Sequence, residues 1–147
     1  MLQRTDEYFM REALKEAEKA AQAGEVPVGA VVVSHNRIIA RAHNQVEQLQ
    51  DATAHAEVLA LTSAFSYVGG KYLPTATLYV TLEPCCMCAG AAYWAQLGRL
   101  VFGARDPQRG YTTVGKPLLH PRTEIAGSVL AQEAAELLTH FFQRLRS

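Results

Sequence analysis

The sequence predicts an α/β fold: a three-layer α/β/α sandwich around a central mixed sheet of about five strands. Three observations carry this. A buried-strand pattern near residues 28–34 is followed at once by a turn and a second strand, which makes a hairpin. Downstream, apolar periodicity switches repeatedly between helical and strand spacing. Strands interleaved with helices then add parallel pairing to the hairpin, with helices on both faces.

The elements follow in order. Thr5 is the expected N-cap of a first helix, with Asp6 and Glu7 in the turn where the helix dipole favours negative charge. Met10, Ala13, Leu14, Ala17, Ala20 and Ala21 recur at helical spacing, and Gly24 is a natural stop. Val28 to Ser34 reads as a mostly buried strand, His35-Asn36-Arg37 as a turn, and Ile38 to Ala42 as the hairpin partner. The polar stretch Asn44 to Thr53 predicts a loop. Ala54 to Phe65 returns to helical spacing, with Val58, Leu59, Leu61 and Ala64 apolar, until Gly69-Gly70 breaks the chain. Leu78 to Leu82 is a short central strand stopped by Pro84; Cys86 to Ala95 is a core helix; Leu100 to Phe102 is another strand. Asp106 to Arg122, rich in Gly, Pro and Thr, predicts a long irregular loop. Glu124 to Ala126 adds an edge strand and Ala131 to Leu145 a closing helix. No repeat, low-complexity tract or linker interrupts this series, so one domain over residues 1–147 is expected.

Composition narrows the class. The chain is 49% apolar and 19% charged, which excludes a disordered protein. No apolar run approaches membrane-spanning length. The first thirty residues carry charges throughout, from Asp6 to Lys19, as an amphipathic helix does and a secretory leader does not. A cytoplasmic location is the expectation. Net charge is zero, so no global attraction to nucleic acid follows. From Arg99 onward, however, seven basic residues face four acidic ones, a balance of +3 against −3 for the remainder.

All three cysteines, Cys85, Cys86 and Cys88, fall within four residues. In a reducing compartment that spacing is metal-binding or redox-active rather than a structural staple. His55, Cys85 and Cys88 supply three ligands for zinc. A catalytic zinc keeps three protein ligands and leaves one position for water, whereas a structural zinc takes four. Each predicted ligand segment lies at a helix N-terminus, which stabilises thiolates, and residues i and i+3 there point the same way. Glu57, two residues from His55, is close enough to move protons without binding metal. Cys86 points away from the Cys85–Cys88 face and is expected as a packed core thiol. His35, in the turn, is expected in solvent; His43, His120 and His140 are not expected as ligands. His55-x-Glu57 followed by Pro84-Cys85-x-x-Cys88 matches the signature of zinc deaminases, which remove an amino group from a nucleobase by hydrolysis.

The chain resembles the bacterial tRNA-specific adenosine deaminases of the cytidine deaminase-like superfamily almost from end to end. The resemblance rests on Glu25-Val26-Pro27-Val28-Gly29-Ala30-Val31, Thr53-Ala54-His55-Ala56-Glu57, Thr81 to Ala91 and Val101-Phe102-Gly103-Ala104-Arg105-Asp106. It implies the cytidine deaminase-like fold, one zinc ion per subunit, and deamination of adenosine to inosine at the wobble position of a tRNA anticodon. It also implies a homodimer with the active site near the subunit interface. Asn44 takes the family position that hydrogen-bonds the target purine; a turn or cap role is the alternative. Val28 and Ala56 fall at pocket-wall positions. Of Phe141 and Phe142, one packs in the core and the other, taken as Phe142, lines the RNA channel. Arg105, Arg109, Lys116, Arg122, Arg144 and Arg146 are phosphate-contact candidates as a group. The chain departs from the family pattern at Gln45, where many members carry arginine, and in the shorter segment Gly115 to Pro121. Two other functions remain open from sequence: deamination of a free base or nucleoside such as guanine, cytosine or cytidine, and a zinc-stabilised RNA-binding module without catalysis. Glu57 argues against the second, because a structural zinc needs no free carboxylate there.

Overall fold

A computed structural model describes residues 2–146. Helix α1 (Asp6–Gln22) leads into strands β1 (Gly29–Ser34) and β2 (Arg37–His43), a one-turn helix α2 (Val46–Leu49) and helix α3 (Ala56–Val68). Strand β3 (Ala76–Leu82), helix α4 (Cys86–Trp94), strand β4 (Arg99–Ala104), a 3₁₀ turn (Tyr111–Val114), strand β5 (Glu124–Ala126) and helix α5 (Ala131–Arg146) follow.

The sheet runs β2-β1-β3-β4-β5. β1 pairs antiparallel with β2 and β3, while β3–β4 and β4–β5 are parallel. The expected mixed five-stranded sheet is therefore present. His35 and Asn36 both take positive φ, 50° and 62°, so the hairpin turns in two residues and β2 begins at Arg37. Register slips between Val32 and Val33, a bulge that leaves Ile39 unpaired.

Alternation along the strands sorts the two layers. Ala30, Val32, Leu78, Val80, Leu100 and Phe102 pack on α3 and α4 through Ala56, Ala60, Leu61, Ala89 and Ala92. Val31, Val33, Tyr79 and Val101 face Phe9, Met10 and Ala13 of α1, with α5 beside it. Fully burying a side chain such as Phe9 or Met10 contributes roughly 1.5–3 kcal/mol. Thr5 caps α1 as expected, its hydroxyl accepting the Tyr8 N–H at 3.1 Å. Gly29 lets α1 approach the sheet: a Cβ there would collide with the Ala13 carbonyl and the Ala17 nitrogen.

Several boundaries differ from the sequence expectation. The 44–53 loop contains α2, because Glu25 accepts the Glu47 and Gln48 N–H groups at 3.0 and 2.8 Å and so anchors its first turn. α3 starts at Ala56 rather than Ala54 and runs to Val68, where Gly69 takes the left-handed conformation. β3 starts two residues earlier, at Ala76, through pairing with Ser34.

Candidate metal centre and active site

Register places one end of the sheet at the chemistry. Gly29 lies opposite His43, and Ala30 opposite Val80, so Val28, Asn44 and the Glu83–Cys85 segment share that end. It is also the C-terminal end of the parallel strands β3 and β4, where open α/β sheets bind ligands.

His55 and Cys85 are the N-cap residues of α3 and α4. Both are extended and neither side chain caps its own helix; the two meet each other instead. The His55 Nδ1 lies 3.7 Å from Cys85 Sγ and 3.5 Å from Cys88 Sγ. Two ligands at zinc–nitrogen and zinc–sulfur bond lengths on a tetrahedral ion stand roughly 3.6 Å apart. The three donor atoms all lie within 4.8 Å of one another, and a His/Cys/Cys set suits zinc by softness as well as spacing.

Mutual hydrogen bonding divides the protons of the group unevenly. The Cys85 thiol is pulled down to about 4, first by the hydrogen bond from Cys88 and then by that from His55. Cys88 is pushed up by the same bond and by burial. His55 is pushed up, chiefly by its bond to Cys85. Glu57 is 4% exposed, and desolvation pushes it up to about 7. It stands beside the Cys88 sulfur and outside the three-donor group.

The remaining sequence candidates fall as follows. Asn44 is buried; its Oδ1 accepts the Ala56 N–H at 2.8 Å and its Nδ2 donates to the Val26 carbonyl at 3.1 Å. It caps α3 in place of His55, so the cap role is present. Val28 and Ala56 are both buried in the core layer under α3 and α4. Phe141 is the core member of its pair, and Phe142 is exposed, their rings meeting edge to face at 5.4 Å. Cys86 corrects the sequence reading: it is exposed. As the first residue of α4 it projects outward, away from the sheet on which Cys88 and Ala89 pack. His35 and His140 are exposed, His43 faces Glu16 at 3.6 Å, and His120 lies against Tyr93. None of these four joins the donor group.

Two carboxylates went unnoticed in the sequence. Glu25 and Glu83 are 2% and 3% exposed, and each accepts backbone N–H groups from a distant loop. A proline shortly after each, Pro27 and Pro84, is the one local signal they carry.

A sheet of this topology with one His, two Cys and a buried, non-ligating Glu at the helix N-termini defines a zinc-dependent hydrolytic deaminase. Residues 3–104 match the cytidine and deoxycytidylate deaminase zinc-binding region. The chain is 47% identical to a tRNA-specific adenosine deaminase of Bacillus subtilis, over 96% of this chain and 91% of that one. Against that of Aquifex aeolicus identity is 44%, over 96% of each chain. A solved structure from a study of A-to-I editing by tRNA:A34 deaminases superposes with a TM-score of 0.83 at 42% identity, covering 89% of this chain and 99% of that one. The chain belongs to the tRNA-specific adenosine deaminase family within the cytidine and deoxycytidylate deaminase class.

Proposed function

We propose that residues 1–147 act as one deaminase domain that converts adenosine to inosine at the wobble position of a tRNA anticodon, with one zinc ion per subunit. The carrying observation is the meeting of His55, Cys85 and Cys88 at one end of the sheet beside a buried carboxylate. His55, Cys85 and Cys88 hold the zinc. When bound, zinc lowers the pKa of a water to about 7 and so makes a hydroxide nucleophile available at neutral pH. Glu57 would take one proton from the attacking water and pass it to the purine ring nitrogen, then take the proton of the newly added hydroxyl and pass it to the departing ammonia.

Asn44 contacts the target base with the donor and acceptor capacity its two backbone bonds leave over. Val28 and Ala56 wall the base pocket, and Phe142 offers its exposed ring to an unstacked base. Arg105, Arg109, Lys116, Arg122, Arg144 and Arg146 meet phosphates as a group. The protein works as a homodimer; the exposed Tyr93 and Trp94 at the C-terminal end of α4, the latter 76% exposed, support an apolar contact face on that helix. Among the described residues no helix is long and apolar enough to cross a membrane. A cytoplasmic location, where the tRNA substrate is found, completes this reading.

The test is inosine formation by zinc-loaded protein on an anticodon stem-loop carrying a wobble adenosine. Adenosine, adenine, guanine, cytosine and cytidine are run alongside. Conversion of the stem-loop alone is expected, lost on chelation and restored by zinc. Conversion of a free base or nucleoside alone would retain the zinc chemistry and overturn the substrate.

A further inference from the structure

Glu83 lies two residues before Cys85 and is outside the three-donor group. Its buried carboxylate is fully engaged by one loop. Oε1 accepts the Asp106 N–H at 3.1 Å, and Oε2 accepts the Thr112 N–H at 3.1 Å and its hydroxyl at 2.7 Å. The Glu83 N–H donates to the Ala104 carbonyl at 2.8 Å. Both ends of the segment from Arg105 to Thr112 therefore hang from one residue.

The same segment is joined to the ligand strand directly. The Tyr111 N–H donates to the Pro84 carbonyl at 2.8 Å, and Cys85 forms an isolated antiparallel bridge with Gly110. Gly110 leaves no room for a side chain: a Cβ would run into the Glu83 carboxylate and lie 2.6 Å from the Asp106 carbonyl. Inside the segment, Asp106 Oδ1 accepts the Gln108 and Arg109 N–H groups at 3.1 and 3.0 Å, which tightens the turn. Arg105 and Arg109 are exposed on that turn, and the Arg105 guanidinium lies 5.7 Å from the Phe102 ring centroid.

We infer that Glu83 is a positioning residue that sets the Arg105–Thr112 loop against the Cys85 segment, so that the Arg105 and Arg109 guanidinium groups meet RNA phosphates at a fixed place beside the metal centre. The inference rests on the tRNA reading above. A guanidinium on a pre-ordered loop loses less conformational freedom on binding than one on a mobile loop. Glu83 touches neither the base nor the donor set, so its contribution falls on substrate binding rather than on the chemical step.

The test is Glu83→Gln, which keeps the size but replaces one acceptor oxygen with an NH2 that cannot accept a backbone N–H. KM for the stem-loop is expected to rise about tenfold, with kcat within about threefold of the parent. Zinc content is expected to be unchanged, and the Asp106 and Thr112 amides to exchange faster. Gly110→Ala disturbs the same contact from the loop side and is expected to give the same split. Thr112→Val removes only the hydroxyl bond and is expected to raise KM less; it decides the matter should Glu83→Gln not fold. Loss of zinc, or a fall in kcat at constant KM, would overturn the inference by placing Glu83 in the metal centre. Unchanged KM with faster exchange would overturn it by showing that loop order does not matter to RNA. A parent protein inactive on the stem-loop would overturn the tRNA reading instead; amide exchange then decides the clamp alone, and unchanged rates would overturn it.

Discussion

Asn44 Oδ1 accepts the Ala56 backbone N–H at 2.8 Å, so the residue just beyond β2 caps the helix that carries Glu57 and starts directly after His55. The opposite end of the same amide is held by the Val26 carbonyl. Asn44→Ala is expected to leave the buried Ala56 N–H unpaired, the Val26 carbonyl keeping the Val28 N–H at 2.8 Å, and to cost about 1–3 kcal/mol. Thermal unfolding should show the loss, and a zinc-competition titration should show weaker metal binding, because the cap fixes the approach of His55. Unchanged stability and zinc affinity would remove Asn44 from the cap role.

Glu57→Gln separates proton movement from metal binding. With His55, Cys85 and Cys88 intact, zinc content is expected to stay at the parent level. The rate of deamination should fall at least ~10²-fold, as loss of a positioned acid–base group requires. Burial already disfavours the ionised carboxylate here, so the variant is expected to melt no lower than the parent. Single-turnover rates with metal analysis check the first part and a melting scan the second. A variant with full activity would remove Glu57 from the mechanism.

Asp6 is one of the carboxylates that make the fold sensitive to acid, with Glu12 and Glu16. Arg99 holds it through two bonds of 2.7 and 2.8 Å, and Tyr79 donates a third at 2.7 Å. The Arg99 hydrogen bond holds the carboxyl below its ordinary value of 3.8. A carboxylate lowered in the folded state stabilises it fully above the unfolded value, and that contribution fades as pH falls through the folded value. Asp6→Asn should therefore cost about 1 kcal/mol at neutral pH, discounted for partial exposure, and progressively less below about pH 4. Melting temperatures of both proteins from pH 3 to 7 test this; a constant difference would exclude the linkage.

The two C-terminal phenylalanines should separate stability from binding. Phe141→Ala empties a core position and is expected to lower stability by about 2–4 kcal/mol. Phe142→Ala should change stability by less than about 0.5 kcal/mol and weaken stem-loop binding roughly tenfold, the range of a lost base–aromatic stack. Denaturant melts and binding curves at one fixed salt concentration distinguish them. Equal binding by the Phe142 variant would take that ring out of the RNA channel.

Much of this was legible because it is written in local patterns. The hairpin, the apolar runs of β1, β3 and β4, and the His55/Glu57 and Cys85/Cys88 spacings each need only a few neighbouring residues to be read. What escaped depends on distant partners. α2 exists because Glu25, twenty-two residues before Glu47, accepts its first-turn N–H groups. The order in the 106–112 loop depends on Glu83 in the same way. A carboxylate bonded to backbone amides carries no sequence partner, since every residue but proline offers the same donor. Cys86 misled for a related reason: its chemistry favours burial, but its orientation is set by the helix start at Cys85.

The donor group also has a thermodynamic side. His55 and Cys85 are thirty residues apart and stand at the starts of separate helices. An ion held by both is a cross-link that the unfolded chain cannot form. Its occupancy adds to folding stability by mass action, in proportion to the logarithm of free zinc above the dissociation constant. Metal supply then bears on the stability of the fold as well as on turnover. A cell short of zinc would hold a less stable protein as well as a less active one.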